Sequence, residues 1–377
     1  MQNLHFSWMT LGLAISLLCG MSACQPQAAT SSEPNEVKPA KQPNQKATIV
    51  PKPATVSQPS VDAKTCLTLS KSMQKIDDTS KIEDIYAIQK QLKACLPTTN
   101  NAEVLSLLKD YQAMYGRFLS NNDNQDISYQ NDEQFYNVMT KLDEGKKVPK
   151  EQLATLTPRL RYLVELVESD ADVEVFYLGE GYYEFNHNLQ AMADIFTLYL
   201  RKDQSELIQR LAKDNQGIFW FDASVTVTFD KLIERAVFWE DYIQRYPNGY
   251  AIADAKKLFA IYRYVLFFGS ENTQWTDDDS REFYNAEDAK AIRQLAKRSN
   301  SILAQDARHL LEFMTISDDE REQTYPVPKT DSHGNEIHDR EKSRYQLEQA
   351  LSIASPWQEN NNRECFSSII CLDYSPE

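Results

Sequence analysis

Several groups of residues in this chain have types and spacings that chemistry could use. Asn122, Asn124, Asp126, Ser128 and Glu133 match the ligand spacing of a calcium-binding loop, but Ile127 stands where the loop needs a glycine, which favours a plain polar loop. Glu184 and His187 form a Glu-x-x-His step. A di-iron bundle needs two such steps, and no second one exists, so a capped surface or buried histidine is expected. Asp331, His333, His338 and Asp339 lie close enough in sequence to hold zinc or copper, and a flexible acidic turn around Gly334 explains them as well. Asp170, Asp172, Glu174 and Glu180 would supply a carboxylate pair for glycan hydrolysis, although acidic helix termini account for them more simply. The chain carries no nucleophile elbow, zinc-protease helix, phosphate loop or dinucleotide fingerprint. Its five histidines, His5 among them near the start, supply a histidine-based catalytic set poorly. No catalytic residue, cofactor or metal is therefore assigned.

Charge narrows the partners. The formal net charge is −15. Residues 24–64 hold five lysines against three acids, so the remaining body carries about −17. Nucleic acid needs clustered Lys and Arg and is excluded as a partner. An anionic lipid surface is disfavoured for the same reason. A soluble, self-repelling body or a basic partner fits.

The first residues carry an address. Residues 8–18 read WMTLGLAISLL, an apolar run too short to span a bilayer. Small residues and then Cys24 follow. Met21-Ser22-Ala23-Cys24 resembles the lipobox of bacterial envelope lipoproteins, where the peptidase needs small side chains beside the cut. Cys19 fails that test, because bulky Leu17 and Leu18 precede it. The resemblance implies a signal peptide over 1–23, a diacylglycerol on the Cys24 sulfur, and an anchor in membrane lipid. Gln25, rather than Asp, after the cysteine implies the outer membrane, facing the periplasm. From 24 to 64 there is no aromatic residue, and seven of the chain's 15 prolines fall there. Such a segment cannot bury enough apolar surface to offset the entropy of ordering, so a disordered tether is expected. Its ends would sit roughly 35 Å apart as a coil.

Positioning falls to helices. Only ten glycines occur, and apolar residues recur at helical spacing. Cys66, Cys95, Cys365 and Cys371 form an even set in an exported chain, with three connectivities open. A helix over 67–76, a break at Asp77-Asp78-Thr79, and a capping box at Ser80-Lys81-Ile82-Glu83 opening a second helix to Leu96 make a hairpin. Cys66 and Cys95 face each other across it, which pairs them and leaves Cys365 with Cys371. Further helices are expected over 102–119, 132–142, 158–168, 182–201, 204–214, 225–246, 250–268, 286–298 and 301–316. After 316 only one, over 340–353, is expected. The piece 170–183 contains strand formers and two glycines, and its helical neighbours favour a helix–turn–helix join there.

In the helix over 225–246, Phe229, Ala236 and Ile243 are spaced by seven, as are Leu232, Trp239 and Tyr246. Pro247-Asn248-Gly249 ends it, and a break so short forces the next helix back antiparallel. Tyr246, Pro247, Asn248, Ala251, Ala253 and Ala255 resemble the tetratricopeptide-like helix pairs of outer-membrane lipoproteins. A single faint echo upstream, Ile195-Phe196 and Tyr199-Leu200, does not make a repeat array. The resemblance implies a mainly all-α fold of antiparallel helix pairs, tetratricopeptide-like or an irregular helical solenoid. The expected divisions are a hairpin and following helices over 65–147, a helix-pair core over 148–316, and a mostly irregular tail over 317–377. Phe238, Trp239, Tyr242, Tyr246, Tyr250 and Tyr262 are the expected binding face. The expected function is a non-enzymatic scaffold for a protein or peptide of the envelope. The alternatives are a glycan-acting enzyme with a carboxylate pair, or a metal-binding lipoprotein.

Overall fold

Helix α1 (Ala63–Met73) and helix α2 (Ile82–Cys95) form the expected hairpin. The structure is a computed structural model that describes residues 63–119, 133–169, 172–179, 182–331, 334–357 and 363–373. The signal segment, Cys24 and the tether up to 62 lie outside the described residues, as do Asn122, Asn124, Asp126 and Ser128 of the calcium-like spacing. All described residues belong to one unit, Pro59–Glu377. In the break between α1 and α2, the Asp77 carboxylate accepts from the Thr79 amide at 2.9 Å and hydroxyl at 2.7 Å. The cap lies one residue later than expected: the Asp84 carboxylate accepts from the Lys81 amide at 3.1 Å, while the Ser80 hydroxyl turns back to Asp77. Cys66 and Cys95 are disulfide-bonded across the open end, with Cα atoms 5.4 Å apart.

Helix α3 (Asn101–Leu119) buries Val104, Leu108, Tyr111, Tyr115 and Phe118. Helices α4 (Glu133–Asp143), α5 (Lys150–Leu153) and α6 (Pro158–Val167) follow. The Thr157 hydroxyl accepts from the Leu160 amide at 3.3 Å, with Pro158 at the first helical position, where its missing N–H costs nothing.

The segment expected as a helical join is instead an antiparallel hairpin of β1 (Val173–Gly179) and β2 (Tyr182–His187). Val173 pairs with His187 and Val175 with Phe185. The cause is a period of two: Val173, Val175, Tyr183 and His187 are buried while Glu174 and Phe176 between them are not. Val175 and Tyr183 join Val138, Met139, Leu160 and Val164 in a small second core. The helix expected over 182–201 shrinks accordingly to α7 (Leu189–Phe196), capped by the Asn188 side chain accepting from the Ala191 amide at 2.9 Å.

Helix α8 (Lys202–Asp214) leads to a two-residue hairpin of β3 (Trp220–Phe221) and β4 (Ser224–Val225). Its turn residues Asp222 and Ala223 both have positive φ, 45° and 56°, the geometry whose twist matches the flanking strands. Because Val225 is spent on that strand, α9 (Phe229–Arg245) starts four residues later than expected, at the Thr228 cap. Helix α10 (Ile252–Phe268) packs back against it. Arg235 reaches Tyr262, and the Tyr242 hydroxyl lies 3.0 Å from the Tyr250 carbonyl, so sequence positions run in opposite directions along the pair. Helices α11 (Ala286–Leu295) and α12 (Ile302–Phe313) form another packed pair. Beyond 316, a second helix appears, α13 (Asp318–Thr324), before α14 (Asp339–Leu351). A last short hairpin, β5 (Arg363–Glu364) with β6 (Leu372–Asp373), frames the disulfide Cys365–Cys371, whose Cα atoms are 4.3 Å apart.

The fold is thus mainly helical, built of packed helix pairs. One apolar core runs from Leu69 of α1 to Cys371 and includes Trp239, Tyr262 and Ile369, so the segments 65–147, 148–316 and 317–377 share it. No helix among the described residues is long and apolar enough to cross a membrane.

Candidate functional site

A concavity of about 720 Å³ opens where α10 ends. Its walls are the Tyr264–Phe268 end of α10, the loop 269–280, Trp220 of β3, Trp357, and Glu341, Arg344 and Leu347 of α14. Gly269 makes the turn from helix to loop. Its φ is +67°, and a Cβ there would run into the Thr273 carbonyl oxygen. The loop is pinned from inside: the Trp275 indole N–H donates to the Val265 carbonyl at 2.8 Å, and the ring packs on Phe229 at 4.9 Å. From below, the buried Arg321 of α13 donates to the carbonyls of Asp279 at 2.6 Å and Phe313 at 2.9 Å, with its guanidinium 3.9 Å over the Phe313 ring. Burial pulls the Arg321 pKa down to about 10, which still leaves it charged at neutral pH.

The aromatic lining is angular. Trp357 meets Tyr264 at 5.2 Å and 87°, and Trp220 at 6.2 Å and 66°. Trp357 is 55% exposed, so its ring is offered to solvent. Arg344 is the cleft's cation. It donates to the Phe268 carbonyl at 2.5 Å and the Tyr264 hydroxyl at 2.9 Å, pairs with Glu348 at 2.9 Å, and lies 4.4 Å over Phe268. Two of the acids are occupied: the Asp277 carboxylate accepts from the Arg281 amide at 2.6 Å, and that of Glu341 from the His338 amide at 2.9 Å. Glu271 and Asp278 stand exposed on the rim. The cleft therefore offers flat apolar faces, a guanidinium already paired, and two acids left to meet a partner.

The expected binding face lies elsewhere, and half of it is core. Trp239, Tyr242 and Tyr262 are 0% exposed. Phe238, Tyr246 and Tyr250 are partly buried; Phe238 lies under Arg210 at 4.7 Å and the Tyr246 hydroxyl donates to Glu206 at 3.1 Å. These six rings hold α9 to its neighbours and do not form an open surface. The spacing by seven that marked them is a packing signal. The aromatic lining of the cleft was missed because Trp220, Trp275 and Trp357 sit in loops and a two-residue strand, where no periodicity shows. The available signal was that three of the chain's five tryptophans lie outside the long helices.

The other candidates are dispersed. The Asp172 carboxylate accepts from the Gln89 side chain at 2.8 Å and that of Glu174 from the Asn188 side chain at 3.1 Å, while Asp170 and Glu180 lie outside the described residues. His187 is buried, stacked on Tyr115 at 3.4 Å. His333 lies outside the described residues, and Asp331 is engaged with the Asn335 amide at 2.8 Å. Among the described residues, Asp254, Cys365 and Cys371 approach one another as metal ligands would, but both cysteines are in the disulfide and Asp254 pairs with Arg363 at 2.5 Å. No protein-family model, no curated protein and no solved structure matches this chain.

Proposed function

We propose that this chain is an exported, lipid-anchored binding protein of a bacterial outer membrane, held by Cys24 and a tether, whose helical body captures a segment of a protein or peptide in the cleft beside Trp357. The observation that carries the reading is the cleft: a concavity of about 720 Å³ in which Trp, Tyr and Phe side chains alternate with polar and charged ones, with an indole presented to solvent. Specific sites are concave and combine aromatic walls with placed polar groups, and Trp is enriched among the anchors of partner binding. Two disulfide-bonded cysteine pairs support an oxidising compartment. The rim acids Glu271 and Asp278, and a body charge of about −17, favour a segment carrying Lys or Arg.

Two measurements test it. Mass spectrometry of the mature N-terminus should find diacylglycerol on Cys24, and an unmodified thiol with residues 1–23 retained would refute the anchor. Photo-crosslinking from position 357 in intact envelopes should give a discrete adduct, absent when the crosslinker sits at exposed Tyr86. Equal labelling from both positions would remove the cleft from the account.

A further inference from the structure

The lining of the cleft beside Trp357 also selects the backbone conformation of a peptide that enters it. Peptides are recognised in few ways: as a strand added to a sheet edge, as an amphipathic helix in an apolar groove, or as an extended polyproline helix on aromatic rings. The first needs a run of strand edge. The strand in this lining is β3, which is two residues long and already pairs with β4. The second needs a continuous apolar floor for anchors one turn apart. Here Glu271, Gln274, Thr276, Asp278 and Arg344 interrupt the aromatic walls.

The third mode finds what it needs. Trp357 meets Trp220 at 66° and Tyr264 at 87°, and Tyr264 meets Phe268 at 4.7 Å and 52°. Rings so inclined form corners, which accept compact pyrrolidine rings. A polyproline helix makes no internal hydrogen bonds, and proline has no N–H, so such a segment brings carbonyl acceptors and few donors. The cleft answers with donors. Trp357 and Gln274 are exposed, and neither makes a side-chain hydrogen bond among the described residues. The Thr276 hydroxyl is unpartnered there as well, and solvent reaches it. Glu271 and Asp278 are exposed acids without an ion pair among the described residues, whereas the cation Arg344 is already held by Glu348. With three residues per turn, a basic residue at every third position of the helix falls along one edge, where it can follow a rim.

We infer, resting on the reading of this cleft as a peptide site, that it takes a proline-rich segment in the left-handed polyproline II form. The prolines seat in the corners between Trp220, Trp357 and Tyr264. The segment's carbonyls accept from Trp357, Gln274 and Thr276, and a Lys or Arg among the prolines meets Glu271 and Asp278.

The test uses the full chain in detergent, with an end-blocked peptide of repeated Pro-Pro-Lys as probe. Its controls are the all-D enantiomer, equal in charge and composition, and the same peptide with alanine at each proline. Calorimetry should show one site for the L-peptide, no binding of the enantiomer, and the alanine peptide at least about tenfold weaker, because it must be ordered on binding. Trp357→Ala should weaken the L-peptide about tenfold or more. The paired change Glu271→Gln and Asp278→Asn should flatten the loss of affinity on adding salt. No binding of the L-peptide, equal affinity for either control, or an unchanged affinity in Trp357→Ala overturns the inference. If the crosslinked adduct at position 357 still forms in envelopes, that result leaves the capture reading standing, with a partner of another conformation. Selective binding of the L-peptide without that adduct refutes capture in the envelope and upholds the chemistry of the cleft.

Discussion

On one hairpin, burial moves two titratable groups in opposite directions. It raises the Glu174 carboxyl from 4.5 to about 7 and lowers the His187 imidazole from 6.5 to about 3. The folded state keeps the Glu174 proton longer than the unfolded chain, so that group's contribution is complete below about pH 4.5 and is lost as pH rises through 7. For His187 the folded state refuses a proton that the unfolded chain takes. Its contribution is complete above about pH 6.5 and drains away as pH falls toward 3. Between these limits the two slopes oppose each other. Replacing Glu174 with Gln should therefore expose the histidine slope alone. At pH 8 the variant should gain about 1–2 kcal/mol, a figure reduced because Glu174 is only partly buried, with the gain gone at pH 4. Denaturant titrations at the two pH values check this, and parallel profiles for both proteins would refute it. None of this was visible in the sequence, where Glu174 read as an acidic helix terminus. The residue's environment comes from the strand pairing, which helical neighbours concealed.

Helix ends carry much of the packing between elements. Glu240 of α9 is 3% exposed and caps a different helix. Its carboxylate accepts from the Ser301 hydroxyl at 2.6 Å and from the amides of Ile302 at 2.5 Å and Leu303 at 3.2 Å, at the positive end of α12. Arg263 of α10 clamps the Asp306 carboxylate one turn further along α12, at 2.6 and 2.8 Å. Glu240→Ala leaves the buried Leu303 amide without an acceptor and strips the first turn of α12 of its cap, and should cost about 2–4 kcal/mol. Urea unfolding followed by circular dichroism measures it, and a change within ~0.5 kcal/mol would mean that water replaces the carboxylate. Gly269→Ala should cost about 2 kcal/mol or more, from the left-handed backbone and the collision with Thr273, and should also weaken photo-crosslinking at position 357, because that turn shapes the cleft. Helices as long as α3, α9 and α10 were legible in the sequence through their apolar spacing and caps. Short elements were not: α13 has a polar sequence, DDEREQT, in which Arg321 is the one buried residue. β3 and β4 are two residues each, shorter than any periodicity can register. The hairpin β1–β2 did show alternation, and the expectation from its neighbours outweighed it wrongly.

For the molecule as a whole, loop length ranks the two disulfides. Cys66–Cys95 spans 29 positions and Cys365–Cys371 spans six. By chain entropy, loss of the first should cost about 3–4 kcal/mol and loss of the second about 2 kcal/mol. Denaturation of the paired serine variants tests the order. A reversed order would show that the contacts of the C-terminal loop outweigh its length. Those contacts are long-range. Gln112 of α3 accepts from the Ile369 amide at 3.1 Å, Lys257 of α10 donates to the Arg363 carbonyl at 2.7 Å, and Arg363 holds the buried Asp254. The sequence marked this tail as polar and surface-wrapping, because Ile369 and Ile370 are too short a pair to announce a core segment. The cysteine pairing was legible, since the first hairpin brings Cys66 and Cys95 together and leaves Cys365 with Cys371.

That tail also sets an order of events. Polypeptide emerges from the ribosome N-terminus first, so the helices receive this clasp only after residues 363–373 have been made. A nascent chain halted before residue 363 would hold Gln112, Asn215 and Asp254 with nothing to answer them. A frameshift ahead of codon 363 should thus be felt as misfolding of the entire body and clearance by proteases.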